Sequence, residues 1–150
     1  MMAAPFPVPP KKKSIPNFLL VWVDANMNQE NPETNRIIQT LKAIVHNVRL
    51  VKSPAECLRA LNEFESELAF IVCSGSFGQE LVPQIHEMSR INGIYIFCSN
   101  KEFHDQWAKN WKRVVGVYTT IDPICVALKQ AVRQYNQDSI SMSFLDFGSK

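Results

Sequence analysis

Five short runs of apolar residues punctuate the chain: Phe18–Val23, Val48–Val51, Leu68–Cys73, Ile94–Cys98 and Val114–Tyr118. Most show no polar–apolar alternation, the mark of parallel strands buried on both faces. Each is followed by an amphipathic stretch. Four of the runs end at small or polar residues: Asp24-Ala25-Asn26, Ser74-Gly75-Ser76, Ser99-Asn100 and Thr119-Thr120. In an open parallel sheet those carboxyl ends form the ligand crevice, so the same residues become the candidate site.

The stretches between the runs carry helix signals. After the first run, Pro32 suits a first helical position, and Ile37, Ile38, Leu41, Ile44 and Val45 recur at helical spacing. Ser53-Pro54-Ala55-Glu56 combines a capping serine, a first-turn proline and the glutamate of a capping box. Cys57, Leu58, Leu61 and Phe64 supply that helix's inner face. Leu81, Val82, Ile85 and Met88 mark a third helix, with Pro83 expected in its first turns and Asn92-Gly93 as its stop. Phe103, Trp107 and Trp111 fall on one stripe, expected to pack on the sheet. Asp122-Pro123 opens a last helix carried by Ile124, Leu128, Ala131, Val132 and Tyr135.

The pattern is (βα)5. Right-handed crossovers place helices on both faces of the sheet. The expected fold is therefore a three-layer αβα sandwich around a five-stranded parallel sheet in the order 2-1-3-4-5, the flavodoxin- and CheY-like arrangement. A chain of 150 residues suits one such domain. Residues 1–17 read as a Pro/Lys-rich leader outside the core, with a P-x-x-P spacing from Pro7 to Pro10. The domain spans 18–138. Residues 139–150 form a tail: Ser139–Phe144 alternates polar and apolar residues, as an added edge strand or a linker into another domain would.

Composition narrows the function classes. Hydrophobic residues make up 46% and charged residues 20%, as in soluble globular domains. A formal net charge of +2, with the signs interspersed, gives no basis for nucleic-acid binding; Lys11-Lys12-Lys13 reads as a solvated tail charge. No run approaches the ~20 residues of a membrane helix, and the amino terminus lacks the apolar segment of a secretory signal. Cys57, Cys73, Cys98 and Cys125 show no C-x-x-C spacing. Buried free thiols and a cytoplasmic location are expected. No metal or cofactor is expected.

At the strand tips, Asp24 is placed to accept from a hydroxyl, to cap amides or to bind a metal. Asn26 is the only polar neighbour it has in Ala25-Asn26, which is too few oxygen ligands for a metal site. Ser74-Gly75-Ser76-Phe77-Gly78 suits an anion cradle, with glycine admitting the ligand and the hydroxyls donating, but it matches no phosphate-loop signature. Turn and cap duty explains these residues equally well. Ser99 and Thr119 complete the set. Cys73 has no basic partner after it, since Gln79 and Glu80 stand there, so no catalytic thiol is expected. His46, His86 and His104 read as surface or packing residues. No catalytic set is expected.

Val21-Trp22-Val23-Asp24-Ala25-Asn26, within the five-fold layout of residues 18–136, resembles the first strand of a response-regulator receiver. Asp24 matches one member of the family's acidic pair. Cys73-Ser74 stands where that family carries its phospho-acceptor aspartate, Ser99 corresponds to the fourth-strand hydroxyl, and Thr119 or Thr120 replaces the fifth-strand lysine. The resemblance implies a pseudo-receiver. Cys73-Ser74-Gly75-Ser76, Ile94-Tyr95-Ile96-Phe97-Cys98 and Asp105-Gln106-Trp107-Ala108-Lys109 further resemble a receiver-like module of invertebrate multidomain proteins. Those proteins also carry arginine ADP-ribosyltransferase or tetratricopeptide-repeat domains. The transferase's own signature is absent from this sequence.

The expectation is a non-enzymatic regulatory or protein-interaction domain whose partner is another protein or a neighbouring domain. The alternatives are a sensor of a small nucleotide or anion at Asp24, Asn26, Ser74, Gly75, Ser76, Ser99 and Thr119, or an accessory domain of an ADP-ribosyltransferase.

Overall fold

The structure, a computed structural model, describes residues 18–25 and 30–148, the stretch 137–148 by its backbone alone. The Pro/Lys-rich leader and Asn26 lie outside the described residues. The elements run β1 (Phe18–Val23), α1 (Pro32–Ile44), β2 (Asn47–Val51), α2 (Pro54–Glu63), β3 (Leu68–Ser74), α3 (Gly75–Ile85), β4 (Ile91–Phe97), α4 (Lys101–Ala108), β5 (Val114–Tyr118) and α5 (Asp122–Gly148). The strands form one sheet in the order β2-β1-β3-β4-β5, every pair parallel. This is the expected three-layer, flavodoxin-like α/β fold.

The apolar runs are continuous because both faces of the sheet are covered. Every residue of β1 is buried. Leu19, Val21 and Val23 join Cys57 and Leu61 of α2, Leu81, Val82 and Ile85 of α3 and Ala108 of α4 in one cluster. Phe18, Leu20 and Trp22 join Ile37, Ile38 and Leu41 of α1 and Ile124 and Leu128 of α5 in the other. Alternate residues of one strand thus feed opposite cores, as the pleat requires. At about 25 cal/mol per Å², burying each such side chain contributes about 1.5–3 kcal/mol.

The start signals act as read. Asn31 accepts from the Glu33 and Thr34 amides at 2.8 and 3.3 Å, ahead of Pro32. Ser53 Oγ accepts from the Glu56 amide at 3.2 Å. The Glu56 carboxylate reaches back to the Lys52 amide at 3.0 Å, one residue before the cap.

Four expectations change. Asn92-Gly93 does not stop a helix: α3 ends at Ile85, and both residues lie inside β4, where the β3–β4 register shifts between Ala69 and Phe70. Glycine is used there for close approach, since a Cβ on Gly93 would stand 3.1 Å from Val115 Cγ2. Pro83 lies late in α3 rather than in its first turns, because the helix begins directly at Gly75. The aromatic stripe is interrupted: α4 ends at Ala108, before Trp111. Phe103 is 48% exposed, while Trp107 and Trp111 pack on the core. Residues 139–148 continue α5 instead of adding an edge strand. Ile140, Phe144 and Phe147 also fit helical spacing, and no glycine or proline separates them from the preceding helix.

Candidate functional site

Strand register builds the rim. Val23 pairs with Cys73, Ser74 with Phe97, and Phe97 with Tyr118. The next residue along β1 is Asp24, and the next along β5 is Thr119, so the tips of β1, β3, β4 and β5 end level. Asp24 is fixed there by its amide, which donates to the Val51 carbonyl at 3.0 Å. The result is an open cleft of about 450 Å³. Asp24, Ser74, Gly75, Ser76, Ser99 and Thr119 all line it. Of the seven residues expected from the sequence, only Asn26 is not placed, lying outside the described residues.

Phe97, Cys98, Asn100 and His104 complete the lining. His104 is the residue that sequence reasoning missed. It belongs to the first turn of α4, whose start is capped by Asn100 Oδ1 accepting from the Phe103 amide at 3.1 Å. The Trp107 indole Nε1 donates to His104 Nδ1 at 2.9 Å. Indole nitrogen is a donor only, so His104 Nδ1 is the acceptor in this bond and Nε2 is left as the ring's donor nitrogen. The i,i+3 spacing of His104 and Trp107 was the available signal.

Gly75 has a different task from the one its loop suggests. A Cβ at this position would stand 2.4 Å from His104 Nε2, and a Cβ on Gly78 would stand 2.8 Å from Ile96 Cδ1 and 3.0 Å from the Trp107 ring. The two glycines therefore receive the two rings of α4. The bare face of Gly75 is taken by imidazole rather than left for an anion. Ser74 occupies the N-cap position of α3 without turning its hydroxyl onto the helix, unlike Asn31, Ser53 and Asn100 at their helices.

Cys73 sits just beneath this cleft and is fully buried. Burial, with the neighbouring Cys57 thiol as a smaller cause, pushes its titration far above the ordinary thiol range. Burial alone pushes Cys57 up to about 12. Cys125 is buried as well and Cys98 half-buried, and all four thiols are free. A thiol held protonated is a poor nucleophile. Among the described residues no three histidine, cysteine or acidic side chains gather as metal ligands, and no helix is long and apolar enough to cross a membrane.

His86 and His46 stay outside the cleft. The His86 ring lies 4.5 Å from that of Trp111 at the opposite end of the sheet, beside a second hollow of about 420 Å³ that includes Lys112 and Arg113. Compared with protein-family models, with curated proteins and with solved structures, the chain matches none of them significantly.

Proposed function

We propose that this domain is a non-enzymatic regulatory module of the pseudo-receiver kind, acting by binding rather than by accepting a phosphoryl group. One observation carries the reading: the tips of β3 and β5. Where a receiver presents its acceptor carboxylate, this chain has the buried Cys73 thiol and the hydroxyl of Ser74 at the cleft. Where a receiver presents its lysine, Thr119 lines the cleft. A serine hydroxyl without a base or a cation beside it is a weak nucleophile. The natural setting is cytoplasmic signalling, with another protein or a neighbouring domain, such as an ADP-ribosyltransferase, as the partner.

The test is incubation of the full chain with acetyl phosphate and Mg²⁺, read by intact mass and by amide NMR. The expected outcome is no phosphoryl adduct and no spectral change. A stable or turning-over adduct would overturn the reading.

A second reading is favoured by a specific observation: six of the residues expected from sequence meet in one open cleft. On this reading the module senses a small ligand, and occupancy changes what the domain binds. Ligand bound at 100 times Kd adds about 2.7 kcal/mol of stability, which a thermal-shift screen detects.

A further inference from the structure

His104 is held at both edges of its ring. Its Nδ1 accepts from the Trp107 indole at 2.9 Å, and its Nε2 edge lies on Gly75, where any side chain would collide with it. The Trp107 ring in turn lies over Gly78, 3.0 Å from where a Cβ would stand. The two rings meet edge to face with centroids 5.9 Å apart. One hydrogen bond thus joins the two side chains that seat α4 on the start of α3.

The first turns of α4 have little else to hold them. The helix is eight residues long, and its last residue, Ala108, is the one it buries fully. Lys101, Glu102 and Phe103 are exposed. Short elements with few buried contacts are the first to open. His104 lines the strand-tip cleft together with Ser74, Gly75 and Ser99, so the seat of α4 is also a wall of the cleft.

The bond requires an Nδ1 without a proton. Indole nitrogen only donates, and an imidazolium donates from both nitrogens. A proton on Nδ1 therefore removes the bond and sets two N–H groups against each other. The ring also lies at the start of α3, whose first amides receive no side-chain cap from Ser74, and the positive end of a helix repels a cation. From Ser74 to Gly78, α3 presents no ionisable side chain. At the cleft the tip of β1 presents Asp24, the end of β4 presents Cys98 and the tip of β5 only Thr119. α4 itself carries Glu102 and the pair Lys101–Asp105, joined at 2.6 Å. A protonated ring is attracted by the carboxylates and repelled by the indole and the α3 amides, so it is driven off its seat.

We infer that His104 is a pH-sensitive latch. Unprotonated, it holds the first turns of α4 on α3. Protonated, it releases them and opens that wall of the strand-tip cleft.

The test is NMR of the nitrogen-labelled full chain, titrated from about pH 8 to about pH 5, the interval over which histidines change charge. The Trp107 indole signal is expected to move with one midpoint, and the amides of Ser74, Ser76 and Ser99 to move with it. Amide exchange over His104–Ala108, corrected for the chemical rate, should speed up about tenfold across the transition, as the loss of one hydrogen bond implies. His104→Phe keeps a ring but no acceptor, and should hold the Trp107 indole at its acid position at every pH. His86→Phe removes the imidazole packed on Trp111 and should leave the Trp107 transition intact. A Trp107 signal that stays flat, a transition that survives His104→Phe, or a moving indole with unchanged α4 exchange and cleft amides would each overturn the inference. No phosphoryl donor, ligand or partner enters these readouts, so the latch and the proposed function fail separately.

Discussion

At the amino-terminal end of the sheet, two arginines stand one residue ahead of a strand and turn back onto backbone carbonyls. Arg90, before β4, donates to the Phe64 and Glu67 carbonyls at 3.1 and 3.2 Å and also to that of Leu61, around the end of α2. Arg113, before β5, donates to the Ile91 carbonyl at 2.9 Å and to that of Met88. At the carboxyl end the strands run out into hydroxyls, one carboxylate and an imidazole, with no arginine or lysine among the described residues that line the cleft. The last carbonyls of a helix lack partners within it, and a guanidinium satisfies several at once. One end thus uses its charged side chains to close the structure. The other keeps short polar groups around an open space. Residues that serve stability and residues available for binding are separated by the length of a strand.

The contrast can be broken most strongly at Arg90. Arg90→Met takes the guanidinium from three part-buried carbonyls, of which that of Phe64 still accepts from the Glu67 amide at 3.0 Å, and urea unfolding should show a loss of about 2–3 kcal/mol. A loss under about 1 kcal/mol would mean that water serves those carbonyls as well.

Gly75→Ala tests whether the open end also contains one tight contact. The new methyl meets His104 Nε2, so the ring must leave Trp107 or α4 must shift, at about 2 kcal/mol. Combining it with His104→Ala should recover about half of that cost, since neighbouring sites couple. Strict additivity would show that the glycine and the imidazole do not meet.

A pH series sharpens the boundary between the cleft and the core beneath it. Burial raises the Cys57 and Cys73 thiols above their unfolded values, so the folded chain holds those protons more tightly. Their stabilising contribution is complete below about pH 8.5 and is lost as pH rises toward 12. Denaturant midpoints measured between about pH 8 and pH 10 should fall, by up to about 1.4 kcal/mol per pH unit for each thiol. Cys57→Ala together with Cys73→Ala should flatten the slope. An unchanged slope would place the thiols in water. The same burial predicts that a thiol reagent labels Cys73 only on unfolding.

The smallest effect is expected at the rim. Ser74→Ala removes a hydroxyl that makes no capping bond, so stability should change by less than about 0.5 kcal/mol. A larger loss would give Ser74 a structural task and weaken its place in the binding cleft.

The site was legible wherever it follows from strand ends. Asp24, Ser74, Ser99 and Thr119 were found because a residue just past a buried apolar run must surface at the rim, whatever lies elsewhere. His104 was missed for the opposite reason. It sits within a helix, carries no motif, and reaches the cleft only because α4 packs on α3 through Gly75 and Gly78. Glycines in a loop-like sequence suggest room for a ligand. Here the room is for two side chains distant in sequence.

Local rules settled the strands, the helix start at Pro32, the cap at Ser53 and the sheet order, because hydrophobic period, turn chemistry and crossover handedness act over a few residues or over the whole chain alike. They also settled that Cys73 would be buried. Tertiary packing alone decided that Asn92-Gly93 enters β4, that α4 stops before Trp111, and that His104 accepts from Trp107 over Gly75. Each of these depends on which surface comes to lie against which, and a side chain's neighbours across an interface leave no periodic trace in its own segment.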